Sequence, residues 1–239
     1  MKMRTKIITI ILIMIGFGFS YNATARRVKG SGHTIKETRK LPNFTSIDIG
    51  SAFEIELIKS NETKIIIETD DNIMPFIKTN VHAKELKVNL SQDINNPTKL
   101  SLTIYYKEVN DLDISGAAEL YSSDVLTTRY LKLDFSGASE VSLKLDVESI
   151  EAEISGASNV DLEGKSRDAE IELSGAAILR AYGLELHYLD LEASGASSAK
   201  VLVLDKFIID ASGASTVRYK GTPTLDLDDI SGAASFKKM

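Results

Sequence analysis

Acidic residues recur at fixed places in the second half of this sequence. Counting from the serine of each Ser-Gly-Ala tripeptide, the second residue upstream is Asp113, Asp134, Glu153, Glu172, Glu192, Asp210 or Asp229. The fourth residue upstream adds Asp111, Glu151, Glu170 and Asp190, with Lys132 interrupting. Carboxylates brought into line have two chemistries open to them. They can hold a divalent cation, Ca²⁺ above all, because Ca²⁺ favours clustered carboxylate oxygens. Paired across a sugar, they can act as acid and base in glycoside cleavage, for which Asp226, Asp228 and Asp229 form the densest cluster. The plainer reading is a solvated acidic face that keeps exposed sheets from associating. A ladder of this kind lacks the loop carbonyls that complete a calcium cage, so no metal set is assigned and Ca²⁺ stays an option at this ladder alone.

The sixth residue downstream of each serine reads Tyr121, Ser142, Asp161, Arg180, Lys200, Arg218 and Lys237. Its last four members make a basic column suited to an anionic glycan or a second copy of the chain, or simply to balancing the acidic side. Other chemistries find little support. His33, His82 and His187 lie in unrelated contexts with no second histidine at ligand spacing. The absence of cysteine removes disulfides, thiolate metal sites, iron–sulfur centres and a cysteine nucleophile. Ser-Gly-Ala lacks the Gly-x-Ser-x-Gly elbow of a serine hydrolase. Sugar-cleaving β-helices usually offer aromatic platforms, and this chain has no tryptophan. Tyr105, Tyr106, Tyr182, Tyr188 and Tyr219 are scattered but could still support weak glycan binding. No catalytic set and no cofactor is predicted.

The elements that carry these residues follow from the repeat. Ser-Gly-Ala begins at Ser115, Ser136, Ser155, Ser174, Ser194, Ser212 and Ser231, at intervals of 21, 19, 19, 20, 18 and 19 residues. Around each tripeptide the hydrophobic period is two: Leu112 and Ile114, Leu133 and Phe135, Ile171 and Leu173 precede it, and Leu120, Val141 and Leu179 follow it. Period two is a strand with one face buried. A repeat of about 19 residues with two alternating strands and a glycine corner is one coil of a β-solenoid. Gly116, Gly137, Gly156, Gly175, Gly195, Gly213 and Gly232 are its corners, because glycine accepts positive φ and leaves room where the chain bends. Coils stack at about 4.8 Å, so six intervals span roughly 29 Å. The last repeat carries one extra residue around Leu225–Asp229, which reads as a bulge.

Residues 26–110 also alternate, over 46–58, 64–68, 85–90 and 100–106, with a short turn or helix at 72–77 carrying apolar residues inward. They read as larger first coils of the same solenoid, ahead of the repeats at 111–239. Ahead of them Lys2, Arg4 and Lys6, the apolar run 7–19 and Ala23-Thr24-Ala25 have the form of a signal peptide cleaved after Ala25. Removing these three cations and no acid takes the net charge from −6 to −9. An acidic chain of this kind does not read as a nucleic-acid binder, and no membrane-spanning segment is predicted once the signal is removed.

Val28-Lys29-Gly30-Ser31-Gly32, Phe44 with Ile47-Asp48-Ile49, Ala52-Phe53-Glu54-Ile55, Asp71-Asn72-Ile73-Met74-Pro75 and the Ser-Gly-Ala series together resemble the autotransporter-adhesin head GIN family, a family of unassigned function common in Bacteroidetes. The resemblance covers essentially the whole mature chain. It implies a single-stranded, right-handed parallel β-helix similar to the pectin-lyase superfold, with no recognised catalytic set and a role in adhesion. One departure is Gly50-Ser51, where the family more often reads Ser-Gly. The function expected is therefore non-enzymatic: an exported β-helix, in the periplasm, on the cell surface or secreted, that binds a surface glycan or protein ligand. A polysaccharide-active enzyme and a self-associating envelope protein are the alternatives. No amphipathic helix covers the last coil, and Lys237 and Lys238 blunt its edge, so a monomer or weak dimer is expected.

Overall fold

The computed structural model describes residues 27–239; the signal-peptide reading of residues 1–25 lies outside them. From Val28 to Lys238 the regular elements are strands, apart from one turn of 3₁₀ helix at Met74–Phe76. Asp111–Ser115 pairs in parallel with Ser46–Gly50 on one side and Leu126–Phe135 on the other. Glu119–Ser122 does the same with Glu54–Lys59 and Glu140–Ile154. Thereafter each coil is one long bent strand, Glu140–Ile154, Asn159–Leu173, Ile178–Ala193 and Ser198–Ala211, stacked in parallel on the one before. The chain is an all-β solenoid of parallel coils, as the repeat predicts. A sheet leads into each Ser-Gly-Ala corner, a second leads away from it, and a short third face (Leu126–Thr128, Leu145–Val147, Gly164–Ser166) closes the section.

Alternation fills the interior. Leu112, Ile114, Leu133, Phe135, Ile171, Leu173, Leu191 and Ile209 are buried on one sheet, and Leu120, Val141, Val160, Leu179, Ala199 and Val217 on the other. Ala118, Ser139, Ser158, Ala177, Ser197 and Ser215, just past the corner, are small and buried, which lets the two sheets meet there. Near the last coil Phe207 meets Tyr219 and Phe236 edge-on at 5.8 and 5.7 Å, while Tyr219 and Phe236 stack at 4.9 Å. These rings fill the end of the core. Leu225, Leu227 and Ile230 occupy the inward columns of the final described coil and stay exposed.

The corner explains its own sequence. Gly156 has φ +72°, and a Cβ there would sit 2.3 Å from the Gly137 carbonyl oxygen. That oxygen already accepts the Ala157 N–H at 2.7 Å, and the same bond recurs from Ala138 to Gly116 through Ala233 to Gly213. Bend, close approach and hydrogen bond are thus one feature, and only glycine satisfies all three. Gly50-Ser51 resolves accordingly: Gly50 pairs with Ser115, so Ser51 stands in the glycine place with φ +116°. The expected bulge is also present. Ile209 pairs with Leu227 and Asp210 with Asp229, leaving Asp228 as the extra residue.

The first 80 described residues differ from a simple run of larger coils. Ser46–Lys59 is a coil, but the coil outside it is made later in the chain, by Glu85–Leu90 and Leu100–Tyr106. Thr34–Lys40, Lys64–Asp70 and Ile77–His82 run antiparallel and close that end. Ile73, Met74 and Ile77 turn inward beneath the cap, as the sequence predicts. The cap is clasped by Asp70, whose buried carboxylate accepts the Gly32 N–H at 2.7 Å, the Thr98 N–H at 2.7 Å and the Thr98 hydroxyl at 2.8 Å. A Cβ on Gly30 would lie 2.8 Å from this carboxylate. Ser31 donates its hydroxyl to Asp71, and the Asn72 amide donates to the Lys29 carbonyl. Burial pushes the Asp70 carboxyl up, but the Thr98 and Gly32 donors outweigh it and the net shift is downward.

Gly156→Val is expected to cost about 3 kcal/mol or more, a fall in Tm of roughly 6–12 °C. Ser51→Gly should act oppositely, gaining about 0.5–1 kcal/mol by relieving strain. Thermal melts of both variants beside the parent check the corner; a Gly156→Val melt equal to the parent's contradicts it. Asp70→Ala strands buried donors and should cost about 2–4 kcal/mol at pH 7. Because the folded carboxyl titrates below its unfolded value near 3.9, its contribution is complete above that value and disappears as pH falls through the folded one. Urea midpoints of parent and variant should therefore converge towards pH 2.

Candidate functional site

Strand register converts the sequence ladder into geometry. Asp113, Asp134, Glu153, Glu172, Glu192, Asp210 and Asp229 are cross-strand neighbours in one unbroken column. The column extends one coil further than the tripeptide spacing indicates, to Asp48, which pairs with Asp113. Its signal was Ile47-Asp48-Ile49, hidden by the exchanged Gly50-Ser51. Lys87 lies next in register and ends the column with an ion pair to Asp48. The parallel column runs Asp111, Lys132, Glu151, Glu170, Asp190, Ile208 and Asp226. Carboxylates about 4.8 Å apart repel by roughly 0.9 kcal/mol per pair even in water. Partial burial, and then Glu192 and Glu153, push the Glu172 carboxyl up; partial burial, and then Asp134 and Asp48, do the same to Asp113. Among the described residues no three His, Cys, Asp or Glu side chains converge as a metal-holding group.

The basic column is likewise continuous, with Asp161, Arg180, Lys200, Arg218 and Lys237 in register on the second sheet. Arg180 is held by Asp161 at 3.1 Å, while Lys200, Arg218 and Lys237 form no ion pair among the described residues. Lys220 lies close by over the Tyr182 ring, 4.4 Å from its centroid. The carboxylates considered for glycoside chemistry do not converge. Asp226 pairs with Lys206 at 3.3 Å, Asp228 is the bulge and Asp229 belongs to the ladder. His187 meets Asp205 at 2.8 Å on an exposed bend, and His33 meets Asp71 at 3.5 Å far from it.

One outward position further from the corner lies a column that counting to the fourth residue upstream does not reach, although Tyr188 within it is one of the scattered tyrosines considered for glycan binding. Tyr130, Ser149, Asp168, Tyr188 and Lys206 form a third column on the acidic sheet. Two large rings, 44% and 47% exposed, therefore stand three coils apart with only Ser149 and Asp168 between them. A groove of about 270 Å³ runs between this column and Glu151, Glu170 and Asp190. Tyr130 leans into it: its hydroxyl donates to Glu151 one coil on, and that bond, followed by partial burial, pushes the phenol up to about 12. Asp168 is held back by Arg167 at 2.9 Å.

The family model described as "Putative auto-transporter adhesin, head GIN domain" matches residues 43–223. The chain belongs to the head GIN family. Solved structures share its fold at low identity. A crystal structure described as a putative adhesin from Bacteroides fragilis superposes with a TM-score of 0.84 at 22% identity, covering 89% of this chain and 100% of that one. One with the same designation from Parabacteroides merdae gives 0.76 at 18%, covering 89% and 99%. A third, called a putative lipid binding protein, from Parabacteroides distasonis gives 0.67 at 16%, covering 90% and 100%. No curated protein matches the sequence significantly. No helix among the described residues is long and apolar enough to cross a membrane.

Glu172→Gln relieves two like-charge neighbours and should raise Tm by roughly 1–3 °C at low salt. The gain should shrink as salt screens the column. It should shrink again in acid: the folded carboxyl titrates above its unfolded value, so the penalty is full at neutral pH and relieved as pH falls through the folded value. Melts at two salt concentrations and at pH 7 and 4 read all three effects.

Proposed function

We propose that this head GIN protein is an exported, non-catalytic binding protein that meets a surface glycan or matrix ligand through the sides of its solenoid. The observation that carries the reading is periodicity. Outside the core of the described residues, the polar side chains stand in straight columns repeated coil after coil. Such a surface suits a ligand that is itself extended and repetitive. The family's adhesin designation and the adhesin designations of two fold relatives agree with it. The acidic ladder and the column Lys200, Arg218 and Lys237 give opposite charge to two sides of one rod, so separate strips are offered to ligands of different charge.

Residues 26–239, displayed on a glycan and matrix-protein array, are expected to bind without turnover and equally well with chelator or millimolar Ca²⁺. Release of reducing or unsaturated ends from any polysaccharide, abolished by neutralising Asp226, Asp228 and Asp229, would instead establish an enzyme.

A further inference from the structure

The geometry points to the Tyr130–Tyr188 groove as a binding site for an extended glycan chain free of carboxylate and sulfate groups. This rests on the binding reading above and gives it a place and a ligand class. Three features meet in the groove. The first is exposed aromatic surface. Tyrosine rings are costly to leave in water and are worth most as platforms for apolar faces, and the C–H faces of pyranose rings are such faces. Two rings separated by three coil steps lie about 14 Å apart along the solenoid axis, a span that calls for an oligosaccharide rather than a single sugar.

The second feature is the side chains chosen between the rings. Ser149 and Asp168 are short enough to leave the trough open, and the small, buried Ala169 lies beneath. The third is hydrogen-bonding polarity. Glu151, Glu170 and Asp190 line one wall and accept from hydroxyls, while Lys206 at the end can donate. Glu151 already fixes Tyr130, so one platform is positioned before any ligand arrives, which lowers the ordering cost of binding. The same carboxylates set specificity. Uronate or sulfate groups brought beside this wall and the neighbouring ladder would meet like charge along most of the groove, with Lys206 at its end already paired to Asp226, so acidic glycans are disfavoured here. An amine-bearing sugar is tolerated.

Because the chain has no tryptophan, its emission comes from tyrosine, and loss of the ligand-induced change in Tyr130→Ala and Tyr188→Ala identifies the share of these two rings among the seven tyrosines of residues 26–239. Residues 26–239 are titrated with chitohexaose, cellohexaose and a hexameric oligogalacturonate, followed by tyrosine fluorescence and calorimetry. At least one uncharged hexamer should bind, and the galacturonate should bind at least about tenfold more weakly or not at all. Tyr188→Ala and Tyr130→Ala should each weaken binding about tenfold, an effect of the size expected for losing a stacked ring. Tyr130→Phe should weaken it less than Tyr130→Ala. Melting curves of the variants establish that they remain folded. The assignment is overturned if both uncharged hexamers fail to bind at millimolar concentration, if the galacturonate binds as well as they do, or if folded Tyr130→Ala and Tyr188→Ala bind like the parent. A Tyr130→Ala/Tyr188→Ala double variant that still binds the matrix array would sink the groove and leave the broader binding function standing.

Discussion

At six of the seven Ser-Gly-Ala corners the alanine N–H donates 2.7 Å to the glycine carbonyl of the coil before it, and the glycine beside that alanine is left with no space for a side chain. The rest of the structure depends on this contact. It fixes the step from coil to coil, and it holds successive corners in register, so positions before and after the corner stack on their counterparts except where a bulge such as Asp228 intervenes. A bend on the surface of a protein usually exposes backbone groups to water; here each coil supplies the partners for the next. The chain accordingly needs no covalent cross-link to hold its coils together, in keeping with the absence of cysteine.

Exact stacking also dictates the surface. A residue type favoured at one position is repeated above and below itself, so chemistry is laid out in stripes. Apolar stripes become the core without further arrangement. Acidic stripes become ladders of like charge, which adds to the effect of partial burial in pushing the Glu172 and Asp113 carboxyls up. Lys132 within one column and Lys87 at the end of the other offset that charge locally. The tyrosine column departs from uniformity, with bulky members at its two flanks and short ones between, and that departure is what makes a groove out of a flat sheet.

Much of this is legible in the sequence. The period of two, the corner glycines and the extra residue of the last repeat follow from spacing, because in a stacked coil sequence distance from the corner is position on the surface. Tyr130 and Tyr188 obey the same rule, six residues before Ser136 and Ser194, but a reading centred on the closest carboxylates does not count back that far. Asp48 escapes it because the exchanged tripeptide obscures its coil. The antiparallel cap cannot be read this way at all. Lys64–Asp70 alternates like a coil strand, and alternation is blind to strand direction; Thr34–Lys40, with Ile35 its one apolar residue, carries no such pattern, and what fixes the pair is Asp70 gripping Gly32 and Thr98, a set of contacts between residues remote in sequence.

The position of the cap has a kinetic consequence. The outermost coil, 85–106, docks on the earlier coil 46–59, so the first hundred residues complete one end of the stack before any Ser-Gly-Ala repeat is required. In a chain emerging from its N-terminus that end is finished first. Each later repeat of about twenty residues can then lay its strands on a coil made of chain that precedes it, so the order of the stack beyond residue 110 is the order in which a chain made from its N-terminus becomes available.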